Sequence, residues 1–210
     1  LAFGEVRDTL VVNTKAINDA IIQCHNNGGG RVIIPSGRFQ SGTIILKDNV
    51  ELHLESGAYL FASDKYEDFP IQAQSEYRSL KDAGGWVSFI FADRAQNISI
   101  TGNGIIDGRG KNRKARIKNF GGDLDGRPRN ILFISCKNIR VSEISMYNSA
   151  MWNQHYLNCE DVLVTNIKVY NHANGNNDGI DIDGCRRFIL SDSVIDSDDD
   201  GIVLKSTGVA

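Results

Sequence analysis

Apolar residues in this chain recur with two different periods, and the first of these predicts one short helix. Four of them share the spacing i, i+3, i+4, i+7 of a single helix face: Ile17, Ala20, Ile21 and Cys24. Asn13 stands where it could cap the N-terminus of this helix, and the run NNGGG at 26–30 ends it. The pattern therefore predicts an amphipathic helix between these two signals.

Beyond residue 30 the pattern changes to short strands in which apolar and polar residues alternate. Gly, Asn and Asp separate these segments: RVIIP, GTIIL, VELHL, NISITG, NIRVSEI, DVLVTNI, RFILSDS and GIVLKS. No second helical pattern follows them, which argues against a fold built from βαβ units. The chain is therefore expected to be all-β after its first helix.

Several strands can be aligned on one template, in which two mostly polar residues precede an apolar–x–apolar strand. The first apolar residues of five such strands are Val50, Ile98, Ile139, Val162 and Phe188. They lie 48, 41, 23 and 26 residues apart in turn, which suggests a repeat of about two dozen residues. We interpret the interval of 48 as two repeats and the interval of 41 as one repeat that contains the loop 108–128.

A repeat of this length that holds several short strands and no helix is typical of a right-handed parallel β-helix. Each coil adds one strand to each of several parallel sheets, and coils stack about 4.8 Å apart. We predict this solenoid as a single domain over residues 1–210, with the helix near 14–24 capping its first coil. Asn and Gly at the bends suit the left-handed backbone region. Cys136, Cys159 and Cys185 share one template position, which predicts a stacked ladder of buried thiols.

The stretch DSDDDGIVLKS at 196–206 places four aspartates next to the start of a strand. Like charges about 4 Å apart repel by roughly 4 kcal/mol at an effective dielectric constant near 20. A solvated turn, a cation site, or carboxylates with divergent proton affinities would each explain such crowding. Asp196 and Asp198 best fit the solvated turn, and a calcium site there is the alternative.

The repeat predicts which acids lie together. NNDGIDI at 176–182 and DDDGIVL at 198–204 share one frame, so Asp178 and Asp200 lie 22 residues, or one coil, apart. His155 precedes Asp178 by 23 residues, and we expect one column to hold His155, Asp178 and the Asp199–Asp200 pair. Two sets follow from alternation: Ile180, Ile182, Ile202 and Leu204 point inward, and Asp181, Asp183, Asp199, Val203 and Lys205 point outward.

Two carboxyls on adjacent coils could be separated by several ångströms. Inverting glycosidases need roughly 6.5–9.5 Å between their acid and base, because a water must fit between them. Crowding also raises the pKa of one carboxyl, which keeps a proton to donate, while its neighbour stays ionised as a base. The cluster could therefore supply an acid and a base on one wall of a groove.

At these residues the chain resembles the polygalacturonase-type pectin glycoside hydrolases, glycoside hydrolase family 28. The family's N-T-D-G signature corresponds to 176–179, with Asn177 in place of Thr, and its Q/G-D-D signature corresponds to 198–200. The segments GNGIIDGRG, RPRNILFISCKNI, MWNQHYLNCEDV and TKAINDAI…GGGRVIIPSGRF also look like family segments, so the resemblance covers nearly the whole chain. It implies a right-handed parallel β-helix that hydrolyses galacturonosyl linkages with inversion.

The resemblance also implies roles for individual residues. Asp199 would be the general acid, Asp178 and Asp200 would activate the attacking water, and Asn176 would help to hold the site. The family's Gly-His-Gly and Arg-x-Lys motifs would fall beyond Ala210, so we expect a chain that is incomplete at its C-terminal end. The variations at Asn177, Asp198 and Gly201 suggest a divergent, bacterial-like subgroup whose linkage could differ from plain polygalacturonan.

Two roles are open for each of the other candidate residues. His155 could form a sugar subsite or be a hydrogen-bonded structural residue, and Trp152 could stack on a sugar or be buried at a bend. Lys205 could pair with the aspartates or meet a uronate carboxylate. The basic residues of the 108–128 loop could attract an acidic polymer or only be solvated: Arg109, Lys111, Arg113, Lys114 and Arg116. The segment 63–86 is a predicted insertion that could close one end of the groove and favour exo action.

Charge and composition limit the classes of molecule that this protein could bind. A net charge of −3 gives no electrostatic support for nucleic-acid binding, and no run of 18 apolar residues could span a membrane. No CxxC pair is present, which disfavours zinc and thioredoxin-like chemistry. The hydrolase that the resemblance implies is expected to need no metal and no cofactor. We expect a monomer, extracellular or periplasmic, that acts on an acidic plant cell-wall polysaccharide or oligosaccharide. Two alternatives remain: a calcium-dependent polysaccharide lyase, disfavoured because no basic residue is found in the aspartate column, and a non-catalytic glycan-binding solenoid.

Overall fold

The computed structural model describes residues 11–72, 78–79, 87–112 and 127–209, and every structural statement below concerns these ranges. Two single-turn 3-10 helices, Tyr66–Asp68 and Gly110–Asn112, accompany the main elements. The helix and strands are α1 Thr14–Asn26, β1 Gly30–Ile34, β2 Gly37–Ser41, β3 Ile44–Ile45, β4 Val50–Leu54, β5 Ala58–Ala62, β6 Arg78–Ser79, β7 Ser88–Asp93, β8 Gln96–Thr101, β9 Ile105–Asp107, β10 Arg129–Ile134, β11 Lys137–Ser142, β12 Ser145–Tyr147, β13 Gln154–Leu157, β14 Glu160–Thr165, β15 Lys168–Asn171, β16 Ile180–Asp183, β17 Arg186–Ser191, β18 Val194–Ser197, β19 Ile202–Lys205 and β20 Gly208–Val209.

Three six-stranded sheets make up the body of the fold. Sheet 1 contains β1, β4, β8, β11, β14 and β17; sheet 2 contains β2, β5, β9, β12, β15 and β18; and sheet 3 contains β3, β7, β10, β13, β16 and β19. Neighbouring strands within each sheet run parallel, and the chain visits the three sheets in turn. Each pass is one coil, and six coils stack in this part of the chain. The predicted right-handed parallel β-helix is confirmed.

The strand register confirms the repeat but corrects one interval. Ile139 pairs with Val162 and Val162 with Phe188, as the template predicts. β4 and β8 are direct neighbours, however, with Leu52 beside Ile100. The interval of 48 residues is therefore one coil with a long excursion between β5 and β7, and our interpretation of it as two repeats was wrong.

Helix α1 covers the first coil of the solenoid. Ile17, Ala20 and Ile21 are at most 3% exposed and join the central hydrophobic core, against which Cys24 packs partly buried. Asn13 does not act as the side-chain cap that the sequence suggested. Its Nδ2 donates to the carbonyl of Val11 at 3.1 Å, and the helix begins with its backbone carbonyl instead.

Left-handed residues turn the chain into sheet 1. Asn49, Asn97 and Asn138 have φ of 64°, 56° and 53°, a region that Asn tolerates better than most residues. Their side-chain amides form a ladder, because Asn97 donates to Asn49 and Asn138 donates to Asn97, both at 2.7 Å. Such ladders lock successive coils into register and so fix which residues of sheet 3 are neighbours.

The interior columns also agree with prediction. Cys136, Cys159 and Cys185 stack in the core, free of disulfides, with Cys136 and Cys159 fully buried. Ile180 pairs with Ile202, and both continue one inward-facing column. Ile202 is nevertheless 52% exposed, because no further described coil stacks on it.

Candidate active site

Asp178 and Asp200 occupy equivalent positions in two stacked coils. Ile180 of β16 pairs with Ile202 of β19, and the N–H of Gly179 donates to the carbonyl of Asp200 at 2.9 Å. The 22-residue step predicted from the sequence is therefore confirmed. The turn between sheet 2 and sheet 3 carries Asp178 in the fifth coil and the Asp199–Asp200 pair in the sixth.

His155 does not stand in that column, which corrects the sequence prediction. β13 pairs with β16 so that Gln154 lies beside Ile180 and His155 beside Asp181. The step between these coils is therefore 26 residues rather than 23. The longer turn at 172–179 accounts for the difference.

The column that contains Asp178 holds other residues instead. Ile131 pairs with Gln154, and Gln154 pairs with Ile180. The residues two positions before these three are Arg129, Trp152 and Asp178. They therefore lie in one column over three successive coils. Arg129 is a basic residue in the aspartate column, which the sequence analysis overlooked.

Amides hold the Asp178 turn in place. Asn177 is fully buried, and its Nδ2 donates to the carbonyls of Ser149 and Met151, both at 3.0 Å. Nδ2 of Asn171 donates to the carbonyl of Asp178 at 2.9 Å. The Asn that replaces Thr in the signature therefore ties this turn to the previous coil, which positions the Asp178 carboxyl.

The three acids differ in their surroundings. Asp178 is 6% exposed, whereas Asp199 and Asp200 are exposed. Burial, then the negative charge of Asp199, raises the pKa of Asp178 to about 6, and the charge of Asp200 acts in the same direction. Oδ1 of Asp178 is buried and meets no hydrogen-bond donor within the described ranges. Asp178 is therefore a carboxyl that ionises near neutrality. The raised pKa falls on a proposed base, whereas crowding led us to expect it on the proton donor.

Lys205 and Asp181 form an ion pair on the outer face of sheet 3. Nζ of Lys205 lies 2.7 Å from Oδ1 of Asp181, whose side chain is fully buried. Burial raises the pKa of Asp181 to about 7, and Lys205 opposes this rise. The positive charge of Lys205 also lowers the pKa of Asp178. Of its two predicted partners, Lys205 therefore contacts an aspartate here.

Trp152 lies beneath this charge cluster. The residue is 6% exposed. Its ring centroid lies 3.4 Å from Nζ of Lys205 and 4.8 Å from the guanidinium carbon of Arg129. Cations over an aromatic face are attracted by its quadrupole. Of the two hypotheses for Trp152, the structure shows burial at a bend, with cations on the ring. Stacking of Trp152 on a sugar stays a prediction.

His155 is fully buried next to Trp152. Their ring centroids are 5.1 Å apart in an edge-to-face arrangement, and Nε2 lies 3.6 Å from Oδ2 of Asp183. Burial lowers the pKa of His155 to about 4, so the ring is neutral at pH 7. Asp183 also accepts hydrogen bonds from the backbone and hydroxyl of Thr207. Burial raises the pKa of Asp183, but its interaction with His155 and then these hydrogen bonds outweigh burial, so its pKa is lowered. The predicted sugar subsite at His155 stays a prediction.

Asn176 is placed beside the acids but binds elsewhere. Its Oδ1 accepts a hydrogen bond from Nη2 of Arg127 at 3.0 Å, and its φ is 57°. Nη1 of Arg127 also donates to the carbonyl of Gly175 at 2.7 Å. Asn176 thus helps to anchor the turn, and its contribution to substrate binding stays a prediction.

The remaining aspartates of the acidic stretch contact a histidine that the sequence analysis missed. Nδ1 of His172 lies 2.5 Å from Asp198, and Nε2 lies 2.8 Å from Asp196. No group of three or more His, Cys, Asp or Glu side chains in the described ranges is arranged to hold a metal ion. Asp196 and Asp198 are exposed and pair with His172, which joins the fifth coil to the sixth.

The basic loop is described only at its ends. Nη2 of Arg109 pairs with Asp64 at 3.0 Å, and Lys111 lies in a 3-10 turn. Arg113, Lys114 and Arg116 lie outside the described residues. Half of the predicted insertion at 63–86, residues 73–77 and 80–86, also lies outside them.

Two buried partners of the site were not predicted. Arg129 and Asp181 are both 0% exposed; the ring of Trp152 contacts Arg129, and Lys205 pairs with Asp181. Charged residues are rarely buried unless such partners are present. Alternation placed Asp181 on the outer face but could not show that face to be covered. The burial of Arg129 could have been suspected from the sequence, because Arg129 stands at the start of an apolar strand. It lies three coils before Asp200.

Comparisons with known proteins find one family whose model matches most of the chain. The model of the family "Glycosyl hydrolases family 28" matches residues 24–209. The chain is 32% identical to a Vitis vinifera protein named "Probable polygalacturonase", over 97% of this chain and 43% of that protein. It is 34% identical to the exo-poly-alpha-D-galacturonosidase of Dickeya chrysanthemi, over 55% of this chain and 20% of that protein.

A solved structure shares the fold along most of the chain. The exopolygalacturonase of Thermotoga maritima superposes with a TM-score of 0.80 at 25% identity, covering 98% of this chain and 53% of that one. The chain spans less than half the length of the curated relatives it matches. The described part of the chain has no helix of the length and apolarity that a membrane span requires.

Proposed function

Because the chain belongs to glycosyl hydrolases family 28, we propose that it hydrolyses galacturonosyl linkages in pectin-type polysaccharides by inversion. One observation carries the proposal: a buried carboxyl, Asp178, stacks one coil from the exposed Asp199–Asp200 pair. A coil spacing of about 4.8 Å leaves side chains on adjacent coils enough reach to enclose a water between two carboxyls. The relatives named for polygalacturonase activity support the choice of substrate.

In this mechanism Asp199 protonates the glycosidic oxygen, and Asp178 with Asp200 takes a proton from the attacking water. The acid must face the departing sugar, and alternation along 198–204 predicts that the side chain of Asp199 points outward. A base works best when its pKa lies near the working pH, and the pKa of Asp178 is about 6. Removal of a proton from water gives hydroxide-like attack on the anomeric carbon, and the proton donated by Asp199 leaves with the released sugar.

Burial also favours exo action. The outward-facing residues of sheet 3 in the second to fourth coils, Phe91, Leu132 and His155, are at most 5% exposed. A polysaccharide lying along that face could not contact them. The substrate would then extend from the aspartates in one direction only, so that cleavage removes terminal units.

Product analysis tests both proposals. Polygalacturonate is incubated with the protein, and reducing ends, product sizes and absorbance from a new double bond are followed together. We expect reducing ends, mono- or digalacturonate from the start of the reaction, no double bond, and no effect of a chelator. A chelator-sensitive unsaturated product would instead identify a lyase. Early products of mixed length would contradict exo action alone.

A further inference from the structure

A second concave site lies on the outer face of sheet 2, in the first three coils. It has a volume of about 460 Å³, within the range of pockets that bind small ligands. Two columns of side chains form its floor: Arg38 beside Tyr59, and Gln40 beside Phe61 and Asp107. The aspartates of the proposed active site lie two coils further on, at the turn into sheet 3. This cavity is therefore a separate site on rigid strands.

The acids that line the cavity already have partners. Asp107 accepts hydrogen bonds from the hydroxyl of Tyr59, from the backbone N–H of Arg109 at 2.8 Å and from Nδ2 of Asn148 at 3.2 Å. Asp64 pairs with the guanidinium of Arg109 at 3.0 Å. Neither carboxylate is therefore directed at Arg38.

Arg38 and Gln40 supply the groups that remain available. The guanidinium carbon of Arg38 lies 4.3 Å from the ring centroid of Tyr59 and 5.3 Å from that of Phe61, which orients its plane. Arg38 has no hydrogen-bond acceptor among the described residues, and the side-chain amide of Gln40 makes no hydrogen bond to them. A guanidinium held on an aromatic ring presents paired N–H donors suited to a carboxylate. The amide offers a donor and an acceptor to sugar hydroxyls.

We propose that this cavity binds a uronate unit of an acidic polysaccharide, with its carboxylate on Arg38 and its hydroxyls on Gln40. Burial and the Asp107 carboxylate raise the pKa of Tyr59 to about 12, so its hydroxyl stays neutral and adds no opposing charge. The choice of galacturonate as the ligand rests on the proposed function. The site would hold the polymer outside the catalytic groove and raise its local concentration there.

Binding is tested with free galacturonate, because the monomer has no linkage to cleave. A titration of the ¹⁵N-labelled protein should shift the Nε–H signal of Arg38 and the amide signals of Gln40. The Arg38→Gln variant should lose these Gln40 shifts and weaken binding at this site about tenfold or more, since a charge-assisted pair is removed. Arg140→Gln is the matched control, because Arg140 is also exposed and has no carboxylate partner among the described residues.

Competing ligands and a kinetic readout complete the test. Galactose, which lacks the carboxylate, and inorganic phosphate should leave the Gln40 signals in place; equal shifts with either would overturn the assignment to a uronate. Arg38→Gln should raise KM for polygalacturonate several-fold and leave turnover of digalacturonate unchanged. Absence of galacturonate shifts at Arg38 and Gln40 would overturn the proposal. Shifts in a protein that cleaves no galacturonan would uphold this site and refute the proposed hydrolase.

Discussion

The ammonium group of Lys205 lies 2.7 Å from the carboxylate of Asp181, one coil away across sheet 3. This pair places a positive charge close enough to Asp178 to lower its pKa. Lys205, on the outer face of sheet 3, therefore influences the pKa of the proposed base Asp178, although Lys205 is not one of the three proposed catalytic acids.

Replacement of Lys205 by Met should move the acidic limb of the pH–rate profile to higher pH. Without the positive charge, the pKa of Asp178 rises above about 6, and the base becomes protonated over a wider range. At pH values below the limb, kcat/KM of the variant should be about tenfold lower than that of the wild type for each pH unit by which the limb moves. The pH dependence of kcat/KM on a galacturonate oligomer measures this effect. Lys205→Arg should restore the position of the limb; a lower rate with an unmoved limb would show that Lys205 does not tune Asp178.

Asp178→Asn should stabilise the fold at neutral pH relative to acid pH. The folded-state pKa of about 6 exceeds the ordinary 3.8, so the native state binds this proton more tightly than the unfolded chain. Wild-type stability therefore falls as pH rises from about 4 to about 6, and Asn removes that loss. The difference in free energy of unfolding should shift in favour of the variant by up to about 3 kcal/mol between pH 4 and pH 7. Urea unfolding at several pH values measures it, and a pH-independent difference would contradict the buried-carboxyl description.

His172→Asn should destabilise the protein at low pH more than at high pH. Both ring nitrogens contact carboxylate oxygens, so both must carry a proton, and the hydrogen bond to Asp198 raises the pKa of His172. The stabilisation is complete below pH 6.5 and is lost as pH rises through the raised value. We expect Tm to fall by about 1–3 °C at pH 5.5 and the gap to close by pH 9.

Calorimetry at the two pH values checks the His172 prediction. His25→Asn, on helix α1, controls for the loss of an imidazole away from these carboxylates. An equal loss of Tm for His172→Asn at both pH values would show that the two carboxylates do not hold a charged ring.

Gly179→Ala should destabilise the stacked turn. A Cβ at this position would lie 2.4 Å from the carbonyl oxygen of Gly201 and 2.4 Å from Cγ2 of Ile195, so the two coils would be forced apart. We expect a loss of about 1–3 kcal/mol in urea unfolding. Gly201→Ala is the matched control, because the nearest atom to its Cβ is Oγ of Ser197 at 4.0 Å. Equal losses in the two variants would show that the coils are not packed this closely.

Much of the fold was predictable because its determinants are local. The two-residue alternation, the Asn residues at bends and the repeated apolar positions each reflect one coil. They were enough to predict the solenoid, the cysteine ladder and the step from Asp178 to Asp200. The helix was predicted for the same reason, although the side chain of Asn13 contacts Val11 instead of capping it.

What could not be predicted depends on the lengths and paths of the turns. The 172–179 turn lengthens one coil, so His155 stands beside Asp181 rather than in the column of Asp178. The chain makes a long excursion after β5, so the 48 residues from Val50 to Ile98 form a single coil although they are twice the usual length of the repeat. The Asn176–Arg127 bond joins residues 49 apart, and no local pattern encodes such a contact. Burial of Arg129 likewise depends on the whole stack.

The central claim is that Asp199, set one coil from Asp178, donates the proton for glycosidic cleavage. Its most direct test is the rate at which Asp199→Asn releases reducing ends from polygalacturonate, beside the wild type and Asp192→Asn. Asp192 is the control because it lies in the turn between sheets 1 and 2 of the same coil. We expect kcat to fall by about 10²–10⁴-fold for Asp199→Asn and to stay near the wild-type value for Asp192→Asn. A folded Asp199→Asn protein with wild-type kcat would contradict the account.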